Sequence, residues 1–137
     1  MTARLTFVVV DDHPLFRGAI KETLRSVDDK VSILEAGDFE AAKKIVSETP
    51  DIDLVLLDLS MPGTSGLSGL VTLRALQPAV PVVIVSASDD AATIRRAIEL
   101  GASGYIKKSS SFEEIRAAIT GVLSGGIVSP VNVNLGN

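Results

Sequence analysis

The strongest constraint on this chain is the regular alternation of short apolar runs with longer amphipathic stretches. Leu5-Thr6-Phe7-Val8-Val9-Val10 is a β-branched run stopped by acidic residues, as a buried strand would be. Val31 to Ala36 is a second run, and Leu54-Val55-Leu56-Leu57 a third that closes at Asp58. Val82 to Val85 is a fourth, ending at Ser86, and Tyr105 to Lys107 a short fifth. Runs that are apolar on both faces belong in a sheet covered on both sides. The intervening stretches carry helix signals. Pro14 suits the first turn of a helix whose apolar stripe is Leu15, Ile20, Leu24 and Val27, ended by Asp28-Asp29. Asp38 is placed to cap a helix running to Glu48. A loop with Pro62 and Gly63 precedes a helix from near Gly66 to Leu76. Asp89 or Asp90 starts the next helix and Gly101 closes it. Ser111 with Glu114 makes a capping box for a last helix to Leu123.

Strict strand–helix alternation predicts an α/β fold: a doubly wound, five-stranded parallel sheet, flavodoxin-like, with strand order 2-1-3-4-5. A length of 137 residues fits one domain with one proper core. Residues 1–123 make that domain. Residues 124–137, with their Gly, Asn and Ser and with Pro130, read as a linker or C-terminal tail.

Composition narrows the function classes. The formal charge is −4, and the basic residues are scattered, paired only at Lys43–Lys44, Arg95–Arg96 and Lys107–Lys108. That is not the electrostatic footprint of a nucleic-acid binder, so contact with DNA would need another domain. The absence of cysteine excludes disulfides, thiolate metal sites and cysteine nucleophiles. The apolar run before Asp11 is too short for a signal peptide or a membrane span, and a cytoplasmic, membrane-free setting is expected.

In sheets of this kind, ligands bind beyond the carboxyl ends of the strands. Strand one ends in Asp11-Asp12, strand three in Asp58, strand four in Ser86 and strand five in Lys107-Lys108. Carboxylates gathered so closely need compensation, and a hard divalent cation supplies it. Mg²⁺ takes oxygen ligands and keeps several waters, so one or two carboxylates and a backbone carbonyl suffice. The lack of a histidine cluster and of a thiol argues against zinc. Lys108 and Ser86 are placed to engage the oxygens of a phosphoryl group. A flavin phosphate would meet Asp11-Asp12 after strand one and be repelled, which sets this chain apart from FMN-binding proteins of the same predicted fold.

Four segments together carry a resemblance. They are Val9-Val10-Asp11-Asp12-His13-Pro14-Leu15-Phe16-Arg17, Leu57-Asp58-Leu59-Ser60-Met61-Pro62-Gly63, Val85-Ser86-Ala87, and Gly101-Ala102-Ser103-Gly104-Tyr105-Ile106-Lys107-Lys108. In this order and at these separations they resemble the receiver domains of two-component response regulators. The Asp-Asp-His-Pro start and the Gly-Tyr-Ile-Lys-Lys segment are similar to the NarL/LuxR-type subfamily. The resemblance covers residues 4 to 123 and implies that Asp58 is the phospho-acceptor, charged by a sensor histidine kinase in an Mg²⁺-dependent reaction. It implies Asp12 as a direct metal ligand and Asp11 as one through water, with Asp58 and the Ser60 backbone carbonyl completing the set. Ser86 and Lys108 would hold the phosphoryl group, and Tyr105 would reorient when Ser86 moves. The protein would catalyse its own phosphotransfer and dephosphorylation without being an enzyme in the usual sense. Its output would be transcription through a C-terminal helix-turn-helix domain that this chain lacks, with homodimerisation left open.

Four points stay distinctive. Strand alternation places Tyr105 and Lys107 on one face, taken as outward, and Ile106 and Lys108 on the other. Ser86 stands where threonine is frequent in the family and keeps the hydroxyl. Ser109 follows Lys108 where many relatives have a cis proline, and a cis bond without proline costs about 3–4 kcal/mol. His13 reads as a loop residue beside the acid pair. The competing functions are a constitutive pseudo-receiver that serves only as an interaction module, and a small phosphatase. Ser60 counts against the phosphatase, because it stands where an Asp-x-Asp phosphatase needs its second acid.

Overall fold

A computed structural model describes residues 5–61 and 67–130. The Pro62–Gly63 turn and Gly66 lie outside the described residues, as does the tail beyond Pro130. Five strands and five helices alternate: β1 (Thr6–Val10), α1 (Pro14–Val27), β2 (Ser32–Ala36), α2 (Phe39–Glu48), β3 (Leu54–Asp58), α3 (Ser68–Leu76), β4 (Val82–Ser86), α4 (Ala91–Glu99), β5 (Gly104–Lys107) and α5 (Phe112–Leu123). The sheet is parallel throughout, in the expected order β2-β1-β3-β4-β5.

Strand alternation divides the core in two. Val8, Val10, Val55, Leu57, Val82, Ile84 and Tyr105 face α2, α3 and α4. Phe7, Val9, Leu54, Leu56, Val83, Val85 and Ile106 face α1 and α5. Both sides of β3 and β4 are buried along their whole length, which is why those runs hold no polar residue before their last position. Each fully buried aliphatic side chain there contributes about 1.5–3 kcal/mol of transfer free energy.

The helix signals act locally as expected. Asp38 accepts a hydrogen bond from the Ala41 amide, and Asp90, rather than Asp89, caps α4 through Thr93. Ser111 and Glu114 close a reciprocal capping box at the start of α5. Among the described residues every peptide bond is trans, Lys108–Ser109 included.

Four details depart from expectation. The apolar stripe of α1 runs through Phe16, not Leu15; Phe16 packs on the core while Leu15 is 92% exposed. Tyr105 does not face outward, for α4 covers that side of β5 and leaves it 2% exposed. Asp53, which its place before β3 predicts to be solvated, instead accepts the Thr6 amide at 2.8 Å and anchors the start of β1. Finally, the stretch after α5 is not frayed through Pro130. Gly125 turns the chain at φ +94°, and Val128 then lies parallel to Gly104 on the free edge of β5. The Val128 amide donates to Ser103 O at 3.0 Å, and the Tyr105 amide donates to Val128 O at 2.9 Å.

Gly101 terminates α4 at φ +104°, a conformation that side chains disfavour, and a Cβ there would stand 2.9 Å from Arg74 Nε. Gly101→Ala is therefore expected to lower stability by about 1–2 kcal/mol. Chemical denaturation checks this; an unchanged midpoint would mean that the turn relaxes without cost.

Candidate functional site

Parallel pairing brings the carboxyl ends of β1, β3, β4 and β5 to one edge, and the polar residues that end those strands meet there. Asp11 follows β1 directly, and its amide is held by Ala36 O at 3.0 Å. Its side chain is 3% exposed, and its Oδ1 accepts the His13 amide. Asp58 ends β3 with a side chain fully removed from solvent. Its Oδ1 accepts from the Ser60 amide at 3.0 Å and the Ser60 hydroxyl at 3.1 Å. Its Oδ2 accepts from Lys108 Nζ at 3.1 Å.

Lys108 lies just past β5, and its amide is fixed by Ser86 O at 2.8 Å. From there its ammonium reaches Asp58, comes within 3.3 Å of Asp11 Oδ2, and sits over the Phe16 ring at 4.9 Å from the centroid. A charge so enclosed needs several partners, and Lys108 has them. Lys107 takes the other direction, into a groove of about 440 Å³ between β5, α5 and residues 128–130.

His13 is the residue whose place the sequence left open. Its Nδ1 lies 3.1 Å from Asp12 Oδ1, 3.3 Å from Asp58 Oδ2, 3.5 Å from Asp11 Oδ1 and 3.0 Å from Lys108 Nζ. The signal that could have found it is its position. It directly follows the acid pair and precedes Pro14, so the start of α1 must aim it at the strand ends.

Ser86 is buried at the end of β4, and its hydroxyl accepts the Ser88 amide at 3.1 Å. Tyr105 in turn donates its hydroxyl to Ser88 O at 3.0 Å. Ser86 and Tyr105 are thus joined through Ser88 on one side of the acid cluster. Asp11, Asp12, Asp58, Ser60, Ser86 and Lys108 meet at this edge, Tyr105 is one step removed from the acids, and Lys107 lies apart.

The electrostatics follow from burial and partners. Burial pushes the Asp58 carboxyl up, but the Ser60 amide, the Lys108 hydrogen bond and charge, and the Ser60 hydroxyl outweigh it and hold the group below its ordinary value. Two buried carboxylate oxygens, Asp11 Oδ2 and Asp12 Oδ1, have no hydrogen-bond partner; each has only an ion-pair neighbour, Lys108 and His13 respectively. Asp11, Asp12, His13 and Asp58 each offer a ligand atom, all within 4.8 Å of one another. An oxygen-rich cluster with unsatisfied buried acceptors fits a hard divalent cation.

The family now follows. The response regulator receiver domain family matches residues 7–120. This chain belongs to it. Among curated relatives, the glycerol metabolism activator of Pseudomonas putida is 40% identical over 126 residues, covering 92% of this chain and 57% of the relative. The nitrate/nitrite response regulator protein NarP of Escherichia coli is 35% identical, covering 93% and 59%. The chain thus spans just over half the length of these relatives. Among solved structures, the signal receiver domain of NarL from Mycobacterium tuberculosis aligns with a TM-score of 0.79 at 33% identity, covering 90% of this chain and 99% of that one. A LuxR-family two-component response regulator from Aurantimonas sp. aligns at 0.85 with 29% identity, covering 96% and 93%. The chain is a receiver domain of the NarL/LuxR type, a regulatory module rather than a conventional enzyme. Among its described residues no helix is long and apolar enough to cross a membrane.

Replacing Lys108 by methionine removes the only ammonium on Asp58 among the described residues. Lys108→Met is expected to raise the Asp58 carboxyl pKa in the metal-free protein, and more than Ser60→Ala does, because it removes both a hydrogen bond and a charge where Ser60→Ala removes only the hydroxyl's hydrogen bond. Carboxyl-carbon NMR titration reads both. Leaving Asp58 buried and less compensated is also expected to cost on the order of 3 kcal/mol of stability.

Proposed function

We propose that this receiver domain accepts a phosphoryl group on Asp58 from the phosphohistidine of a sensor histidine kinase, in a reaction that depends on Mg²⁺. The observation that carries the proposal is the convergence of Asp11, Asp12 and Asp58 within 4.8 Å at the carboxyl edge of the sheet, with Lys108 paired to Asp11 and Asp58 and two carboxylate oxygens still lacking donors. An Asp58 oxygen attacks phosphorus, the phosphorus–nitrogen bond of the donor breaks, and its electron pair returns to the donor imidazole. The product is an acyl phosphate. Asp58, held ionised by Lys108 and Ser60, needs no base to remove a proton first.

Asp12 would ligate the cation directly and Asp11 through water, with Asp58 and the Ser60 carbonyl as further ligands. Bound there, the cation would offset the charge of the incoming phosphoryl group. Lys108 would follow the phosphoryl oxygens and Ser86 would donate its hydroxyl to one of them. Because Asp58 is fully covered, the side chains above it must swing aside to admit a donor. His13, half-exposed, is the freest of them. The same site would return the phosphoryl group to water, making the phosphorylated state self-limiting.

Drawing the Ser86 hydroxyl toward a phosphoryl oxygen would release the Ser88 amide, and Ser88 O is the acceptor of the Tyr105 hydroxyl. Tyr105 would therefore reorient with the turn. We place the receiver proper at residues 1–123 and the linker at 124–137, leading toward a helix-turn-helix domain that acts on transcription. Relatives nearly twice as long as the match support that arrangement. A cytoplasmic location accompanies this reading, and homodimerisation stays open. The constitutive pseudo-receiver is disfavoured by the complete set of acids, Ser86 and Lys108.

Incubation with acetyl phosphate and Mg²⁺ is expected to add a single phosphoryl mass, lost when metal is chelated and absent in Asp58→Asn. Mass spectrometry of the intact protein reads it. No gain with either acetyl phosphate or a competent kinase would overturn the proposal in favour of the pseudo-receiver.

A further inference from the structure

We propose that His13 is itself a ligand of the cation pocket, through Nδ1, and gives it a preference for divalent first-row transition ions such as Zn²⁺ over an oxygen-only Mg²⁺ mode. This rests on the metal-pocket reading above and goes beyond it in ligand and in metal.

The first support is spacing. His13 Nδ1 stands 3.1, 3.3 and 3.5 Å from single oxygens of Asp12, Asp58 and Asp11. Neighbouring ligands around one ion, each about 2.0–2.1 Å from it, lie roughly 2.8–3.0 Å apart in an octahedron and roughly 3.3–3.4 Å apart in a tetrahedron. The imidazole nitrogen is thus within about 0.2 Å of the tetrahedral ligand spacing from all three acids at once.

The second support is a conflict that the metal-free site cannot resolve. An ammonium only donates, so toward Lys108 Nζ, 3.0 Å away, Nδ1 must present its lone pair. Toward Asp12 Oδ1, which lies 3.1 Å away and lacks a hydrogen-bond donor, it would have to present a proton. One nitrogen cannot do both. A cation among these atoms lets the lone pair and the carboxylate oxygens face the same charge, and takes over the compensating role of Lys108. Asp11 supplies an independent sign of an expected ligand: its side chain is 3% exposed, yet Oδ2 lacks a hydrogen-bond partner and has only the Lys108 ammonium at 3.3 Å.

The third support is that the imidazole has no competing structural task. His13 occupies the N-cap position of α1, but its side chain makes no capping hydrogen bond, and Pro14 follows it. The ring lies over the acids, and no capping bond in α1 needs it. Imidazole nitrogen suits zinc, copper and nickel, whereas carboxylate, carbonyl and water suit magnesium. A lone imidazole among three carboxylates does not make the closed site of a structural zinc. It makes a pocket in which a transition ion gains a ligand that Mg²⁺ has little use for.

The chain has a single histidine, so in untagged protein every imidazole signal belongs to His13. The experiment is ¹⁵N imidazole NMR of the full chain during separate titrations with Zn²⁺ and Mg²⁺, with both affinities measured by calorimetry. Zn²⁺ is expected to move the Nδ1 resonance more than Nε2 as the pocket saturates, and Mg²⁺ to leave both little changed. In His13→Asn the Zn²⁺-to-Mg²⁺ affinity ratio is expected to fall about tenfold or more. Saturation by Zn²⁺ with the imidazole unmoved would overturn the inference, as would an unaltered ratio. If Mg²⁺ binds normally in that case, the metal-pocket reading survives. Failure of both ions to bind would overturn the two together. The NMR arm uses the unmodified protein, so it decides the matter even if the variant fails to fold.

Discussion

The Asp58 carboxylate, buried at the end of the central strand β3, is the constraint around which the site is organised. Removing an ionised carboxylate from water costs several kcal/mol unless donors replace the lost solvent. Here two donors come from Ser60, two residues along the chain, and one from Lys108, fifty residues away in sequence. The local pair follows automatically from the turn after β3. The distant one requires β5 to stand in its place in the sheet, so the ion pair and the fold depend on each other.

Parallel topology makes this arrangement possible. Every strand runs the same way, so the last residue of each reaches the same edge, while the helices return the chain on the two faces. Sheet and helices supply apolar burial up to the final position of β3 and β4 and polar side chains immediately after. Acids that would destabilise the core if shifted one residue inward instead face a pocket. Lys108 and His13 provide the positive or donor groups that let the acids stay close together without a metal, but incompletely, as the unsatisfied oxygens of Asp11 and Asp12 attest.

Much of this was legible in the sequence because the periodicity is clean. Strands buried on both faces read as unbroken apolar runs, and their first polar residue marks the functional edge. That is why Asp11, Asp12, Asp58, Ser86 and Lys108 stand out in the sequence, while the strand order follows from the strand–helix alternation and right-handed crossovers. What was not legible depends on which side chain packs against which. Leu15 and Phe16 both sit where an apolar stripe could begin, and only the bulk of α5 and the sheet beneath decides for Phe16. Tyr105 looks outward on alternation alone, until α4 is seen to cover that face. His13 carries no periodic signal, since a single histidine in a loop is ambiguous until the ends of β3 and β5 are in place. The docking of Val128 was hidden by glycines that read as a linker, although the same glycines allow the turn back onto β5.

That last contact bears on how a change at the acid cluster would travel. The Tyr105 hydroxyl is held by Ser88, whose amide is held by Ser86, while the Tyr105 amide is held by Val128 in the segment after α5. Among the described residues, that segment joins the sheet at Val128, beside Tyr105. Each such hydrogen bond is worth about 0.5–1.5 kcal/mol net. Altering one or two of them is of the same order as the 1–3 kcal/mol that typically couples two sites. A large rearrangement of the core is therefore unnecessary. A shift of the Ser86–Ser88 turn, passed through one tyrosine, is energetically sufficient to change how firmly that segment is held.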